Sequence, residues 1–195
     1  GPERHAILLA RKGLAVTGYD FSADYLKEAA AKARRAKVKL TLLRGDMRRL
    51  NFNGEFDAVI NLFTSFGYFQ RFSDDIKTLK GISRALKPGG LFMIDIIHGD
   101  FVRKNFRARN WMELEDGSYR LEDPKLTRDG VLNTWTVIKK GKVQAKSFFT
   151  RLYSRSRMAA AMRQAGLTPL KFWGSFSGAP LTDKRNRLIA LAQKP

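Results

Sequence analysis

Four polar side chains stand where apolar runs of the chain end, and their types and spacing could do chemistry: Asp20, Asp46, Asn61 and Asp95. If the runs are parallel strands, these residues lie near one another, because ligands of open parallel sheets bind outside the carboxyl ends of the strands. One carboxylate there can accept hydrogen bonds from a ribose diol, and another from an exocyclic amine. Phe21 could lie against a flat base. A lone strand-end Asp is more often a turn former or a helix N-cap, so it is the series that indicates a nucleoside site.

Helix and strand patterns alternate along the first half of the chain and must position these residues. Apolar residues at helical spacing predict helices, and short apolar runs predict strands. The helices are expected at residues 5–13, 21–36 and 73–86, and the strands at 14–20, 38–46, 56–63 and 91–97. This alternation is typical of an α/β protein whose parallel strands are joined by right-handed crossovers.

Local signals add detail to three of these elements. Ser22 is predicted to cap the second helix and Ser73 the third, because a serine hydroxyl accepts from the free N–H groups of a first turn. The run 56–63 is almost continuously apolar, which predicts a strand buried on both faces. Two helix faces are expected to point inward: Leu26, Ala29, Ala30 and Ala33, and Ile76, Leu79, Ser83 and Leu86.

After His98 the alternation of helix and strand patterns ends. Residues 99–118 are polar and predicted to be irregular, and antiparallel strands are expected from 119 onward with a hairpin turn at 139–142. We interpret residues 99–152 as an antiparallel insertion that lies over the sheet. A helix closed by Gly166 and a final pair of strands complete the pattern. The prediction is one doubly wound, mostly parallel α/β domain over residues 1–195.

Composition narrows the function classes. The chain has no cysteine, and its two histidines lie far apart in sequence, so neither a disulfide nor a metal centre is expected. No secretory pattern or membrane-length apolar run is present, and we expect a cytoplasmic protein. Lys and Arg number 37 against 18 Asp and Glu, a net charge of +19. That balance is compatible with contact to nucleic acid or another polyanion, or with a solvated basic surface.

The order and spacing of these segments resemble the class I S-adenosylmethionine-dependent methyltransferases. The resemblance runs through RHAILLARKGLAVTGYDFS, LLRGDMRRL, FDAVINLFTSFGYF and LKPGGLFMIDII. It is strongest to a small bacterial and archaeal branch that is similar to glycine- and sugar-amine-methylating enzymes. It implies a Rossmann-like methyltransferase sheet with the antiparallel insertion after the fifth family strand. It also implies S-adenosyl-L-methionine as cofactor and S-adenosyl-L-homocysteine as product.

The resemblance further implies a role for each matching residue. Asp20 would bind the ribose hydroxyls, Phe21 would lie on the adenine, and Asp46 would accept from the adenine amine beside the Met47 backbone. Asn61, Leu62 and Phe63 would lie along the methionine part. The segment from Thr64 to Tyr68 would lead into the acceptor pocket. The implied cofactor residues are Gly1, Asp20, Phe21, Asp46, Met47, Asn61, Leu62 and Phe63, and the implied pocket residues are Ser65, Phe66, Tyr68, Trp111 and Tyr119.

Methyl transfer is mainly a matter of positioning, and a base helps only where the acceptor must lose a proton. Tyr68 and His98 are the titratable candidates at suitable strand ends. We favour Tyr68 as a wall of the pocket and His98 as a surface turn residue over a catalytic role for either. Trp111, Tyr119 and Trp135 either line the acceptor pocket or serve to pack the inserted strands.

The start of the chain departs from the family pattern. The family's first strand and most of its glycine-rich turn are missing from the sequence, and of that turn only Gly1 matches, with Glu3 where a second glycine belongs. Either Gly1 and Pro2 remain from a cleaved tag, or upstream residues exist in the molecule. The strands that end at Asp20 and Asn61 would flank the missing strand. We expect them to pair directly, to accept a strand from another chain, or to be joined by upstream residues.

Two functions follow as hypotheses. The first is an enzyme that methylates a small molecule or, given the charge, RNA. The second is a catalytically impaired methyltransferase fold that serves as a basic nucleic-acid-binding scaffold. A regulatory subunit completed by a partner, or a homo-oligomer, remains open.

Overall fold

The computed structural model describes residues 3–195, with side chains from Arg4 onward. The helices are α1 (Glu3–Arg11), α2 (Ala23–Arg35), α3 (Phe72–Ala85), α4 (Gly99–Lys104) and α5 (Arg155–Gln164), with a 3₁₀ turn at Met47–Arg49. The strands are β1 (Thr17–Asp20), β2 (Thr41–Arg44), β3 (Phe56–Asn61), β4 (Leu86–Ile97), β5 (Asn110–Glu113), β6 (Tyr119–Glu122), β7 (Lys125–Leu126), β8 (Gly130–Lys139), β9 (Lys142–Arg151), β10 (Thr168–Trp173) and β11 (Arg187–Gln193).

The strands of residues 3–195 form three sheets. Strands β1 and β2 pair in parallel as a sheet of their own. A second sheet has the order β10-β11-β4-β3, in which β3 and β4 are parallel and the other pairs antiparallel. The third sheet, β5-β6-β8-β7 with β9 on β8, is entirely antiparallel. The α/β class and the antiparallel insertion are confirmed.

The expected single doubly wound sheet is wrong, because its parallel part is split. Strand β1 pairs only with β2, and β3 pairs only with β4, among the strands of residues 3–195. The direct pairing of the strands that end at Asp20 and Asn61 is therefore not observed. Tyr19 and Phe56 instead both contact the ring of Phe52, which lies between the two small ladders.

The hydrophobic core lies between the four-stranded sheet and helices α3 and α5. The predicted inward positions of α3 are confirmed, since Leu79 and Leu86 are fully buried and Ile76 and Ser83 nearly so. On α2, Ala29 and Ala33 are buried against β1 and β2. Phe92 and Ile94 of β4 belong to the same core as the buried residues of the neighbouring strand β11.

The prediction that β3 is buried on both faces is wrong. Register pairs Ala58 with Leu91 and Val59 with Phe92, so each pair shares one face of the sheet. Phe92 faces the core and is fully buried, whereas Ala58, Ile60 and Leu91 are exposed. The physical reason is that α3 and α5 cover only one face of the four-stranded sheet, while α1 and α2 pack on β1 and β2 instead.

Helix caps show one confirmed and one mistaken prediction. The Ser22 Oγ accepts from the Tyr25 N–H and caps α2 as expected. Helix α3 instead begins earlier than predicted, with Arg71 at the N-cap and no side-chain cap. Ser73 lies inside its first turn, because Phe72 already packs against the core.

The insertion is more ordered than its composition predicts. Residues 99–118, expected to be irregular, contain α4 and β5. Strand β5 is held by its ladder with β6, a tertiary pairing that polar composition does not reveal. The predicted hairpin between β8 and β9 is confirmed, and Lys140 and Gly141 both have positive φ, 47° and 73°. No helix in the described part of the chain is long and apolar enough to cross a membrane.

We expect Lys140→Asn to raise the free energy of unfolding by about 1 kcal/mol, because Asn adopts the left-handed region of this two-residue turn at lower cost than Lys. Urea unfolding measures the change. Lys142→Asn is the matched control, since it removes the same charge from an extended position. Equal effects of the two substitutions would contradict the backbone argument.

Candidate functional site

Asp20 ends β1 and is held there by the turn that follows. Its Oδ1 accepts from the Ser22 N–H at 2.7 Å, while its main-chain oxygen accepts from the Gly45 N–H. The next residue, Phe21, is 71% exposed, and the guanidinium of Arg44 lies 5.9 Å from its ring centroid. A half-buried carboxylate thus stands beside an apolar ring that is open to a ligand.

Asp46 follows β2, the strand that pairs with β1, so the two acids stand at neighbouring carboxyl ends. Its Oδ1 accepts from the backbone N–H of Arg48, and both carboxylate oxygens accept from the Arg48 guanidinium. The Arg48 hydrogen bonds hold the pKa of Asp46 below its usual range. Asp46 is therefore an ionised acceptor, and Met47 begins the 3₁₀ turn beside it.

The segment after β3 has unusual backbone geometry. Phe63 and Thr64 both adopt left-handed conformations, with φ of 57° and 54°. A bulky residue with positive φ is a true outlier, and such conformations persist where their surroundings enforce them. Here Asp95 of β4 enforces them, since its Oδ2 accepts from the Phe63 N–H and its main-chain oxygen from the Thr64 N–H. The preceding Asn61 Oδ1 is buried without a hydrogen-bond partner among the described residues.

Asp95 also ties this segment to β11. It is 1% exposed, and its Oδ2 accepts from Arg187 Nη1 at 2.5 Å. The Arg187 guanidinium lies near the rings of Phe63 and Phe176, at 5.8 and 4.8 Å from their centroids. These residues border a cavity of about 440 Å³, whose lining is His5, Phe63, Gly174, Ser175, Phe176, Arg185, Asn186 and Arg187.

Tyr68 lies at the border between the α/β body and the antiparallel sheet. Its ring centroid is 6.2 Å from that of Phe148 on β9, which in turn makes an edge contact of 4.7 Å with Trp135 on β8. Partial desolvation raises the pKa of the Tyr68 phenol although the residue is 45% exposed, so the phenol is neutral at physiological pH. Arg120 lies 4.4 Å above the Trp135 ring and pairs with Glu122.

Strand register separates the aromatic residues of the insertion into two groups. Trp135 and Phe148 share one face of the sheet, because Trp135 is opposite Glu122 and Phe148 is opposite Asn133. Trp111 and Tyr119 lie on the other face, where Trp111 is 67% exposed and contacts Tyr119. The structure thus brings Tyr68 together with Phe148 and Trp135, and does not bring it together with Trp111.

The remaining predicted residues take varied positions. Ser65 donates through Oγ to the Leu62 carbonyl and is exposed, whereas Phe66 is buried against Tyr153. His98, expected at the surface, is 3% exposed, and this expectation is wrong. Its ring Nδ1 lies 3.1 Å from the Arg185 carbonyl oxygen, and its backbone N–H donates to the Asn186 carbonyl oxygen, so the residues just before β11 cover it. Gly1 lies outside the described residues, as does the side chain of Glu3.

Sequence reasoning missed Phe148 and Arg187 as neighbours of the predicted site. Alternation along β9 could have placed Phe148 on the same face as Lys146 and Thr150. No local signal marks Arg187, which reaches Asp95 from a strand 92 positions away in sequence.

Parallel strands that end in acids, with a half-buried carboxylate beside an exposed ring, are an arrangement typical of α/β proteins that bind nucleoside-containing ligands. Comparison with known proteins shows which proteins of this class the chain resembles. Residues 1–90 match the family model described as "Methyltransferase domain". The first half of the chain is therefore similar to the methyltransferase domain of class I S-adenosylmethionine-dependent methyltransferases, whose methyl donor is S-adenosylmethionine.

Individual relatives agree with this assignment. The chain is similar to "Putative methyltransferase YqeM" of Bacillus subtilis, with 39% identity over 49% of this chain and 38% of that protein. It is 26% identical to "Cypemycin N-terminal methyltransferase" of Streptomyces sp over 95% of this chain and 77% of that protein. Among solved structures, an S-adenosylmethionine-dependent methyltransferase from Clostridium acetobutylicum superposes with a TM-score of 0.82. That match covers 95% of this chain and 77% of the other at 22% identity, which supports the fold.

Asp95→Ala should destabilise the protein by about 3 kcal/mol, because it leaves Arg187 unpaired and releases the left-handed Phe63. Chemical denaturation gives the value. In an Arg187→Met background the same substitution should cost at least about 1 kcal/mol less, since the ion pair is already gone. Equal costs in both backgrounds would refute the coupling.

The phenol of Tyr68 should ionise above its ordinary value of about 10, because burial disfavours the phenolate. Subtracting the absorbance titration of a Tyr68→Phe variant from that of the unaltered protein isolates this one group. An ionisation at or below the ordinary value would contradict the placement of the ring.

Proposed function

We propose that this protein transfers a methyl group from S-adenosylmethionine to a nitrogen of a small-molecule acceptor. One observation supports it above all: the residues that match the family model include both acids, at neighbouring carboxyl ends of the paired strands β1 and β2. The nitrogen acceptor is favoured by the similarity to a protein named as an N-terminal methyltransferase.

The residues present fit the cofactor in three respects. Asp20 offers a carboxylate at a strand end, and Phe21 offers an exposed ring next to it. Asp46 is ionised, and although each of its carboxylate oxygens accepts two hydrogen bonds from Arg48, an adenine amine would replace one of those made by the partly exposed guanidinium. The buried, unpartnered Asn61 Oδ1 would accept from the ammonium of the methionine part.

The cofactor would supply an activated methyl group, so the protein needs chiefly to hold and orient the acceptor. Asp95 fixes Phe63 and Thr64 in their left-handed geometry. This segment therefore forms a rigid wall of the site that need not reorganise during the reaction. Tyr68 stays neutral and can orient an acceptor by a hydrogen bond, whereas removing a proton would require the phenolate. An amine acceptor that binds unprotonated needs no such base before it reacts.

The acceptor is proposed to bind where Tyr68 meets Phe148 and Trp135. Three aromatic rings there provide a mainly apolar wall, and the Arg120–Glu122 pair adds charged groups at the Trp135 ring. Trp111 and Tyr119 are less suited to the pocket, since they lie on the other face of the sheet.

Titration calorimetry with S-adenosylhomocysteine tests the proposal. Micromolar affinity is expected, and Asp20→Ala should weaken it about 10- to 100-fold, the loss of charge-assisted hydrogen bonds worth about 1.5–3 kcal/mol. Asp20→Asn keeps an acceptor for the Ser22 N–H and separates ligand binding from a folding defect. Asp24→Ala, which removes an exposed acid from the first turn of α2, should bind as the unaltered protein does.

Failure of the unaltered protein to bind S-adenosylhomocysteine would overturn the proposed function. The rival interpretation, a basic scaffold, then predicts RNA binding that falls steeply with salt, because a chain of net charge +19 releases counterions when it contacts phosphates.

A further inference from the structure

A buried ion pair joins the antiparallel sheet to the α/β body. Arg151, the last residue of β9, donates from Nε to Asp75 Oδ2 of α3 at 2.8 Å. The side chains of Arg151 and Asp75 are 2% and 0% exposed. Tyr153 donates from its hydroxyl to the same oxygen at 2.7 Å. Two buried charges are costly unless further hydrogen bonds satisfy them, so the remaining donors of Arg151 matter.

Those donors point to the segment before α3. Arg151 Nη2 donates to the carbonyl oxygens of Phe69 and Gln70, at 3.1 and 2.8 Å. The backbone N–H of Arg151 donates to the Gly67 carbonyl at 2.7 Å. A single residue of the inserted sheet thus holds segment 67–70 through three of its carbonyl groups.

The segment is shaped for this contact. Gly67 has φ of +94°, a conformation that side chains rarely adopt. A Cβ at this position would lie 3.3 Å from the Arg151 carbonyl oxygen. Gly67 therefore permits both the turn and the close approach of β9.

Tyr68 lies inside this segment, between Gly67 and the two carbonyl groups that Arg151 binds. Its ring faces Phe148, which stands three residues before Arg151 on the same strand. We propose that Arg151 is a positioning residue for the acceptor pocket, one that holds segment 67–70 and Tyr68 against the antiparallel sheet. That this segment lines an acceptor pocket rests on the proposed function, whereas the contacts by which Arg151 fixes the segment do not.

The role calls for arginine. A guanidinium has five N–H donors in a planar fork, so it can bind a carboxylate on one side and carbonyl groups on another. Lysine at this position keeps the charge beside Asp75 but cannot make the same set of bonds. Tyr153 shares the carboxylate and makes no hydrogen bond to the segment, which makes Tyr153→Phe the matched control.

Hydrogen exchange on the full chain tests the proposal. In Arg151→Lys, backbone amides of residues 67–70 should exchange about tenfold faster relative to those of the interior of α3. In Tyr153→Phe the ratio between the two groups should stay as in the unaltered protein. The Tyr68 ionisation should also move toward its ordinary value in Arg151→Lys alone.

A purely structural ion pair would loosen both groups of amides together, and that result, or equal ratios in the two variants, would overturn the proposal. If Arg151→Lys does not fold, the double variant Asp75→Asn/Arg151→Gln removes both buried charges and serves in its place. Binding of S-adenosylhomocysteine is measured separately. Its absence would count against the proposed function, while the exchange ratio still decides the role of Arg151.

Discussion

The buried pair of Arg151 and Asp75 is the constraint on which the arrangement of this protein depends. It fixes the end of a ten-residue inserted strand to the helix that supports the core, and it draws the segment after β3 into the same network. Because neither charge can be buried without the other, the inserted sheet and the body are held in one relative position. The proposed acceptor pocket, formed from both, follows from that position.

A second ion pair, between Asp95 and Arg187, fixes main-chain geometry at the end of the parallel strands. Asp95 holds the left-handed Phe63 and Thr64 and at the same time fixes Arg187 beside their aromatic neighbour Phe176. The two buried acids differ in their local settings, one on a helix and the other on a strand. Asp95 binds the main chain of Phe63 directly, whereas Asp75 acts through Arg151, whose guanidinium donates to the carbonyl groups of Phe69 and Gln70.

The division of the parallel strands into two sheets explains where the expectations failed. Local patterns predicted the strands that lead to Asp20, Asp46 and Asn61, and all three strands are present. The local patterns did not determine whether these strands assemble into one sheet, because strand pairing depends on hydrogen bonds between segments that are distant in sequence. The same separation leaves Ile60 exposed on a strand whose composition predicts burial on both faces.

By itself the sequence determined the helices and strands of the first half of the chain, the Ser22 cap, the hairpin turn at Lys140 and Gly141, and the acids at the strand ends. Backbone preferences and short-range hydrogen bonds set all of these. It also carries the resemblance to class I S-adenosylmethionine-dependent methyltransferases, through motifs in the first half of the chain. Only the tertiary structure decided that His98 is buried, that Trp135 rather than Trp111 shares a sheet face with Phe148, and that Arg151 reaches Asp75. These outcomes depend on register and on contacts across as many as 87 positions of sequence, which local residue patterns do not encode.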